Sequence, residues 1–546
     1  MFSLFQKNKD LILPLLIITG GIVFLFKDLT KTFYQQDEWH GLGLVFSDGI
    51  NSVLSGTSRP IDILFVKGRL LSNAIFYLFA TFFPFQNTQM AYLAISLHIT
   101  AAFLTFLLIK RLIGNIGISL LGAVFFAVNS VSHGGVTWAV VSISTVGSTI
   151  LVLVSTFFFL NFIEANKSMW LILSGITLYL SLWFKETGLY LFIFFPVAAL
   201  LFKKYNFKSY ISQFWLFIVP FLLIAGYRVL ELRLRTTDSN LYLTGANENF
   251  FLTILIRMIL YPLTSLSLMF VPGGPFINFA RDIMRVNYSY LWSATNNLLI
   301  AQSVILDLLA VVLTCFILLT IFVFLLKEKT ENKKKVIFWL AFTLLSFSPY
   351  VLLDKDFAYL ESRYYYLPVV GGAVILSWLL ARMRQILGNK PFLFTILPLY
   401  LVFIFFHAQS VRTAIKAQIV LSDWRTSFIA QLKNQVPTLN NNKNVFYITS
   451  NQTYWTDSNK IPFQQGSGYT LMVLYYDSGK IPKELLKDGY LFEIGSQGYR
   501  ESEGVGFGHF WDREALKEAL KANNLPQGSV IELYYNSEKR SLSREK

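Results

Sequence analysis

Residues 11–40 read LILPLLIITGGIVFLFKDLTKTFYQQDEWH. The stretch 11–26 carries no charge, and Lys7 and Lys9 precede it. An uncharged apolar run with cations before it and no small-residue cleavage site behind it reads as a retained membrane span that begins in the cytoplasm. The chain then turns polar and reaches two adjacent carboxylates, Asp37 and Glu38, followed by Trp39 and His40. Just past a span, such a pair is either an ordinary solvated loop or part of chemistry done on something lipid-borne.

The rest of the chain has the same character. Of 546 residues, 54% are hydrophobic, 16% aromatic and only 14% charged, a balance few soluble domains show. Apolar runs of about 18 or more residues recur, which marks a polytopic α-helical membrane protein. The formal net charge is +15, yet the basic residues sit mostly in short loops between apolar runs. That pattern serves cytoplasmic anchoring and contact with anionic membrane lipids, not nucleic acid. A sole cysteine, Cys315, excludes an intramolecular disulfide.

With the N-terminus cytoplasmic, the first span delivers Asp37 and Glu38 outside. The external loop 27–88 follows. Its apolar part near 61–84 carries Lys67 and Arg69 and reads as an interfacial helix, not a span. Runs 89–109, 115–131, 139–160, 168–184, 187–202 and 211–230 then cross in alternation, with Lys110-Arg111 and Lys203-Lys204 as cytoplasmic stops. Five lysines in 327–335 hold the end of run 298–326 inside. Runs 336–353, 365–381 and 391–408 complete the set. Parity makes 251–271, within an external segment 231–297, either external and partly embedded or paired with a hidden span. The length rule gives about eleven to thirteen spans. Residues 1–409 are thus a transmembrane domain. Residues 410–546 are polar, with strand-like runs 445–449, 470–476 and 530–535 and a helical stretch 513–522. They read as a small extracytoplasmic α/β or α+β domain.

On this threading the polar clusters at span ends fall on the external side: Asp37-Glu38, Arg59, His133, Lys185-Glu186 and the run Glu361-Ser362-Arg363-Tyr364-Tyr365-Tyr366. Charge at membrane depth is costly and points to function by default. Lys185-Glu186 is either a tight turn whose charges snorkel to the headgroups or a phosphate contact that Glu186 orients. Glu361 and Arg363 are either a structural ion pair or, with the tyrosines, a guanidinium fork and aromatic faces for an anionic amphipathic ligand. His133 alone is more often a local hydrogen-bonding residue than a catalyst. His40, His98, His407 and His509 show no metal-ligand spacing. Gly504, Gly506 and Gly508 lack the strand–turn–helix context of a nucleotide loop.

In chain order the set is an acidic pair after the first span, Arg59-Pro60, His133 at a span end, Lys185-Glu186-Thr187-Gly188, and Glu361-Ser362-Arg363-Tyr364-Tyr365-Tyr366-Leu367-Pro368. Over roughly residues 1–410 this set resembles the GT-C superfamily of integral-membrane glycosyltransferases. It is nearest the transmembrane O-mannosyltransferases that carry TPR repeats and their bacterial relatives. Two departures stand out. Ser362 is inserted in the last motif, which in the family typically reads Glu-Arg-Tyr-x-Tyr-x-Pro. His133 is followed by Gly134-Gly135 where the family usually has Pro and a nearby Glu. TPR repeats are absent.

The resemblance implies a GT-C-like fold and an inverting transfer of a hexosyl group, such as mannosyl, from a polyprenyl-phosphate donor. The acceptor would be a hydroxyl of a protein or glycan at the extracytoplasmic face of the plasma membrane, in building the cell envelope. A sugar on polyprenyl phosphate already has a good leaving group, so one carboxylate must take the acceptor's proton and cations must steady the departing phosphate. Asp37 is the expected base, with Glu38 as alternative or orienter. Arg363 and Lys185 are the expected phosphate ligands, with Arg59 in reserve. His133, Glu186, Glu361, Tyr364, Trp39 and His40 are expected to bind or orient substrate. A divalent cation is left open, with Asp37, Glu38 and His133 as candidate ligands. The alternatives are a transporter or flippase of a lipid-linked sugar and a non-catalytic scaffold in cell-surface polysaccharide assembly.

Overall fold

Backbone polar groups surrounded by lipid must pair within their own segment, so long apolar runs resolve into helices. In the computed structural model, residues 2–57, 59–234, 250–272, 295–353, 360–451, 466–492 and 497–544 are described. Most of the expected external segment 231–297 lies outside them. In chain order the helices are α1 Phe2–Phe26, α2 Gln36–Asp48, α3 Pro60–Leu64, α4 Leu70–Phe82, α5 Asn87–Ile113, α6 Ile116–Val128, α7 Gly134–Thr137, α8 Ala139–Ala165, α9 Ser168–Leu182 and α10 Leu191–Phe202. Then come α11 Phe207–Leu234, α12 Phe250–Phe270, α13 Thr295–Leu326, α14 Thr330–Leu345, α15 Tyr366–Leu387, α16 Leu397–Gln435, α17 Ser467–Leu474, α18 Lys483–Asp488 and α19 Arg513–Ala522.

Among the described residues, eight helices are long and apolar enough to cross a membrane, fewer than the expected eleven to thirteen spans. The difference has a physical origin. Helices α6, α9 and α10 hold 13, 15 and 12 residues, and at about 1.5 Å per residue they fall short of a hydrocarbon core of about 30 Å. The sequence runs looked longer because apolar residues continue beyond the helix, after the last turn of α6 and α9 and before the first turn of α10, and the expected run 336–353 likewise contains only part of the 16-residue α14. Asn129, just past α6, donates to the Met269 carbonyl at 2.8 Å. The expected interfacial helix over 61–84 is two helices, α3 and α4, separated by a turn in which Val66 takes a left-handed φ of 54°. The stretch 251–271 is one continuous helix that qualifies by length and composition as a span.

The chain divides into two compact units. The first comprises Met1–Lys27, Arg59–Ser72 and Leu93–Thr413. At its centre is α15, whose first half is buried almost without interruption. Close helix approach there depends on small residues: a Cβ on Gly371 would lie 2.0 Å from Thr343 Oγ1, and one on Gly122 would lie 1.9 Å from Ser377 Oγ. Helices α8 and α9 are joined by reciprocal serine bonds, Ser155 Oγ to Ser174 O at 2.7 Å and Ser174 Oγ to Ser155 O at 2.9 Å. Buried His98 links α5 to α15 through Tyr366 OH at 2.6 Å and to α6 through Ala127 O at 2.9 Å.

The second unit comprises Asp28–Ser58, Asn73–Tyr92 and Ala414–Lys546. Its sheet has five strands: β1 Lys443–Ser450, β2 Gly498–Ser502, β3 Val505–Phe510, β4 Val530–Asn536 and β5 Ser541–Arg544. They run in the order β2-β3-β1-β4-β5. The three central strands are parallel, and β2 and β5 are antiparallel edges. The expected strands at 445–449 and 530–535 and the helix at 513–522 are present. The expected strand at 470–476 is not: that stretch belongs to the helix α17. It is apolar on every side because it is buried on every side, and periodicity cannot separate a short run of that kind from a strand. The glycines of β3 have a packing role. A Cβ on Gly506 would lie 1.9 Å from Tyr499 OH, so the tyrosine ring lies directly on the strand.

Candidate functional site

In the first unit, the end of α9, the starts of α8, α10 and α15, and the last turns of α11 converge on a cluster of cations. The turn after α9 buries Lys185, which is 7% exposed. Its Nζ donates to Thr145 Oγ1 at 2.8 Å, and its carbonyl accepts from Ser148 Oγ at 3.1 Å. The ammonium lies 5.2 Å from the Tyr364 ring centroid. The Arg363 guanidinium lies 5.1 Å from the same ring and 5.1 Å from Trp138, the residue that caps α8. Arg363 Nε is 2.6 Å from Glu361 Oε2. Tyr364 in turn packs on Tyr350, with ring centroids 4.6 Å apart.

Next to Lys185, Glu186 draws two more cations. Arg69 and Arg228 each place a guanidinium nitrogen 3.7 Å from its carboxylate. The Leu71 amide donates to the Trp183 carbonyl at 3.2 Å, which ties the segment carrying Arg69 to the α9 turn. Arg228 also donates to Val66 O at 2.7 Å. The preceding residue, Tyr227, donates to the buried Asp62 at 2.5 Å and accepts from Arg59 at 2.9 Å. Arg59 caps α3 through Asp62, so its position is fixed by the helix it starts.

Among the described residues, four cations, Arg69, Arg228, Lys185 and Arg363, gather around the two carboxylates Glu186 and Glu361. Burial, then the charges of Arg69 and Arg363, push the Lys185 ammonium well below the usual lysine range, while Glu186 and Glu361 oppose the shift. A phosphate beside this group would restore its charge and neutralise the excess. Burial holds the neighbouring Tyr350 phenol above its ordinary range, so it is a neutral hydrogen-bonding group at physiological pH.

His133 lies on the turn before α7, with Nδ1 3.2 Å from Thr137 Oγ1. Burial lowers its pKa to about 4, so the ring is neutral near pH 7. Its two glycines bring this turn onto the Arg363 motif. A Cβ on Gly134 would lie 2.0 Å from Ser362 Oγ, and one on Gly135 would lie 2.9 Å from the Tyr366 ring. Ser362 and the paired glycines are therefore two sides of one close contact.

Against known proteins, no family model matches the chain and no curated sequence matches it significantly.

Asp37, Glu38, Trp39 and His40 belong to the second unit, on the first turns of α2. Asp37 is exposed. Glu38 is 1% exposed, and its Oε2 accepts from the Gln35 amide at 3.0 Å in a capping box, with Arg425 as nearby counter-charge. Trp39 is buried against Phe33, Tyr34 and Phe85. His40 packs on Tyr469 and Phe492. Trp39 and His40 thus build the core of their unit. Among the described residues no group of three or more His, Cys, Asp or Glu side chains could hold a metal ion.

Sequence reasoning brought Lys185, Glu186, Glu361, Arg363 and Tyr364 together. It did not assign Arg69, Arg228, Trp138, Thr145, Tyr350 or the Asp62–Tyr227 pair to the site. Arg69 and Arg228 were legible as charges set in apolar runs. The others give no signal until the fold places them.

Proposed function

We propose that the protein is an inverting glycosyltransferase of the GT-C type, moving a sugar from a polyprenyl-phosphate donor to an acceptor hydroxyl. The observation that carries this reading is the shared Tyr364 ring between Lys185 and Arg363, with Arg69 and Arg228 adding to the positive charge. A lipid phosphate supplies what that cluster lacks, and the aromatic faces of Trp138 and Tyr364 suit the sugar or the first carbons of the lipid. In the reaction the acceptor oxygen attacks the anomeric carbon, the bond from that carbon to the phosphate oxygen breaks, and the phosphate leaves with the electron pair. Cations held in place before the reaction lower the cost of that developing charge. Asp37 is proposed to take the hydroxyl proton, because it is exposed whereas Glu38 is used by its own helix cap.

The test is transfer from a radiolabelled polyprenyl-phosphate sugar by purified full-length protein in detergent. Release of lipid phosphate should depend on Asp37 and fall in Arg363→Ala. Full activity in Asp37→Asn overturns the assigned base. Uptake of the lipid-linked sugar into vesicles without bond cleavage identifies a transporter instead.

A further inference from the structure

The opposite ends of α8, α10 and α14, together with the last turn of α5, wall a cavity of about 370 Å³. This lies within the ~300–1,000 Å³ range of small-molecule sites. Leu160 and Phe202 line its apolar part, and Arg111, Glu164, Glu331 and Lys335 line its polar part. Arg111 is already answered: its Nη2 is 2.7 Å from Glu164 Oε2, and its guanidinium lies 5.0 Å from the Phe157 ring. No ion pair among the described residues engages Lys335. Lys335 closes the run 327–335, in which five lysines face only Glu328 and Glu331. Glu328 is taken up by Arg382 and by Trp378 Nε1 at 3.2 Å. The lining itself balances two cations with two carboxylates, so the excess positive charge at the polar end of this apolar hole comes from the rest of the lysine run 327–335.

We propose that this cavity binds an anionic phospholipid, with acyl chain against Leu160 and Phe202 and phosphate at Lys335. The occupant must be apolar in body and anionic at one end, and it must be at hand where apolar helices end. A membrane phospholipid meets all three conditions, whereas free phosphate leaves the apolar volume unfilled. By the positive-inside rule the lysine run marks the cytoplasmic leaflet, where anionic lipids are found. Bound there, the lipid would hold the ends of α5, α8, α10 and α14 together and stabilise the folded protein in proportion to its occupancy. This site is separate from the cation cluster around Lys185 and does not depend on the function proposed for it.

Full-length protein in nanodiscs of phosphatidylcholine, with or without phosphatidylglycerol, tests this by native mass spectrometry and thermal melting. Phosphatidylglycerol should be retained over phosphatidylcholine and should raise the melting midpoint. Lys335→Ala should weaken retention about fivefold, the effect of one lysine near a lipid phosphate. Leu160→Trp should narrow the apolar part of the cavity and weaken retention of the acyl chain. If that variant fails to fold, the rim variant Lys335→Ala still decides the matter. Equal retention of the two lipids, or undiminished phosphatidylglycerol retention in Lys335→Ala, overturns the proposal. So does displacement of the lipid by an equal concentration of soluble glycerol phosphate.

Discussion

Asp37 and Glu38 are neighbours in sequence with opposite environments. Glu38 is buried and bonded to the Gln35 amide, whereas Asp37 is exposed. We expect Glu38→Ala to cost about 1–2 kcal/mol of stability, the range for a lost cap or hydrogen bond, seen as a lower melting midpoint with transfer per folded molecule retained. Asp37→Asn should move the midpoint less than Glu38→Ala does and cut turnover roughly 10²–10⁴-fold, the usual worth of a general base. Lys185 gives a second expectation. Burial and the nearby Arg69 and Arg363 lower its pKa, while an unfolded lysine holds its proton to about pH 10.4. Between the two values the unfolded chain binds more protons, so stability rises with pH across that window. Below the folded pKa the cost of burying the charge is present in full. Lys185→Met should therefore melt higher at pH 7 without donor, lose this rise with pH, and bind a polyprenyl phosphate about tenfold or more weakly. An unchanged affinity would remove Lys185 from the site. These residues stood out in the sequence because charge is rare in the chain. Which carboxylate was structural was not, since a capping box shows only once a helix start is placed.

Among elements, long apolar runs and strong amphipathic patterns were legible, and short buried ones were not. Helix α19 matches its expected limits because one apolar stripe repeats at helical spacing among charges. Helix α17, buried on all sides, offers no such stripe and was read as a strand. The contact between the α7 turn and the Arg363 motif is also hidden in sequence, since nothing local says that Gly134 and Ser362 face each other. It yields a direct expectation. In Gly134→Ala the new methyl meets Ser362 Oγ at 2.0 Å, so the short helical turn that carries Arg363 must shift. Removing the obstructing side chain in Gly134→Ala/Ser362→Gly should restore much of what Gly134→Ala loses in donor binding. Such rescue is non-additivity between contacting residues, typically about 0.5–3 kcal/mol in a double-mutant cycle. Strictly additive losses would show that the turn and the motif do not act on each other.

At the scale of the whole molecule, the membrane character was plain from composition, and the C-terminal sheet from its alternating runs. The make-up of the second unit was not, because it draws Asp28–Ser58 and Asn73–Tyr92 from far earlier in the chain. Those segments supply α2, which packs on α17 and α18: a Cβ on Gly43 would lie 2.1 Å from Tyr469 OH, and Lys487 Nζ pairs with Asp48 at 2.8 Å. No periodicity announces a contact across more than four hundred residues. Sidedness is the remaining question at this scale, and the charge pattern gives a definite expectation. The lysine run 327–335 should lie in the cytoplasm under the positive-inside rule, and the sheet should lie outside, which requires the 16-residue α14 to cross as well as α15 and α16, since two crossings alone would return the sheet to the side of the lysines. The single native cysteine, Cys315, is removable as Cys315→Ser. In that background Asn332→Cys and Ser541→Cys place one exposed thiol beside the lysine run and one on β5. A membrane-impermeant maleimide should label Ser541→Cys in intact cells and Asn332→Cys only after lysis. The reverse pattern would put both Asp37 and the sheet in the cytoplasm, where a donor must be presented from the other leaflet, and the proposed transfer would have to be relocated to that face.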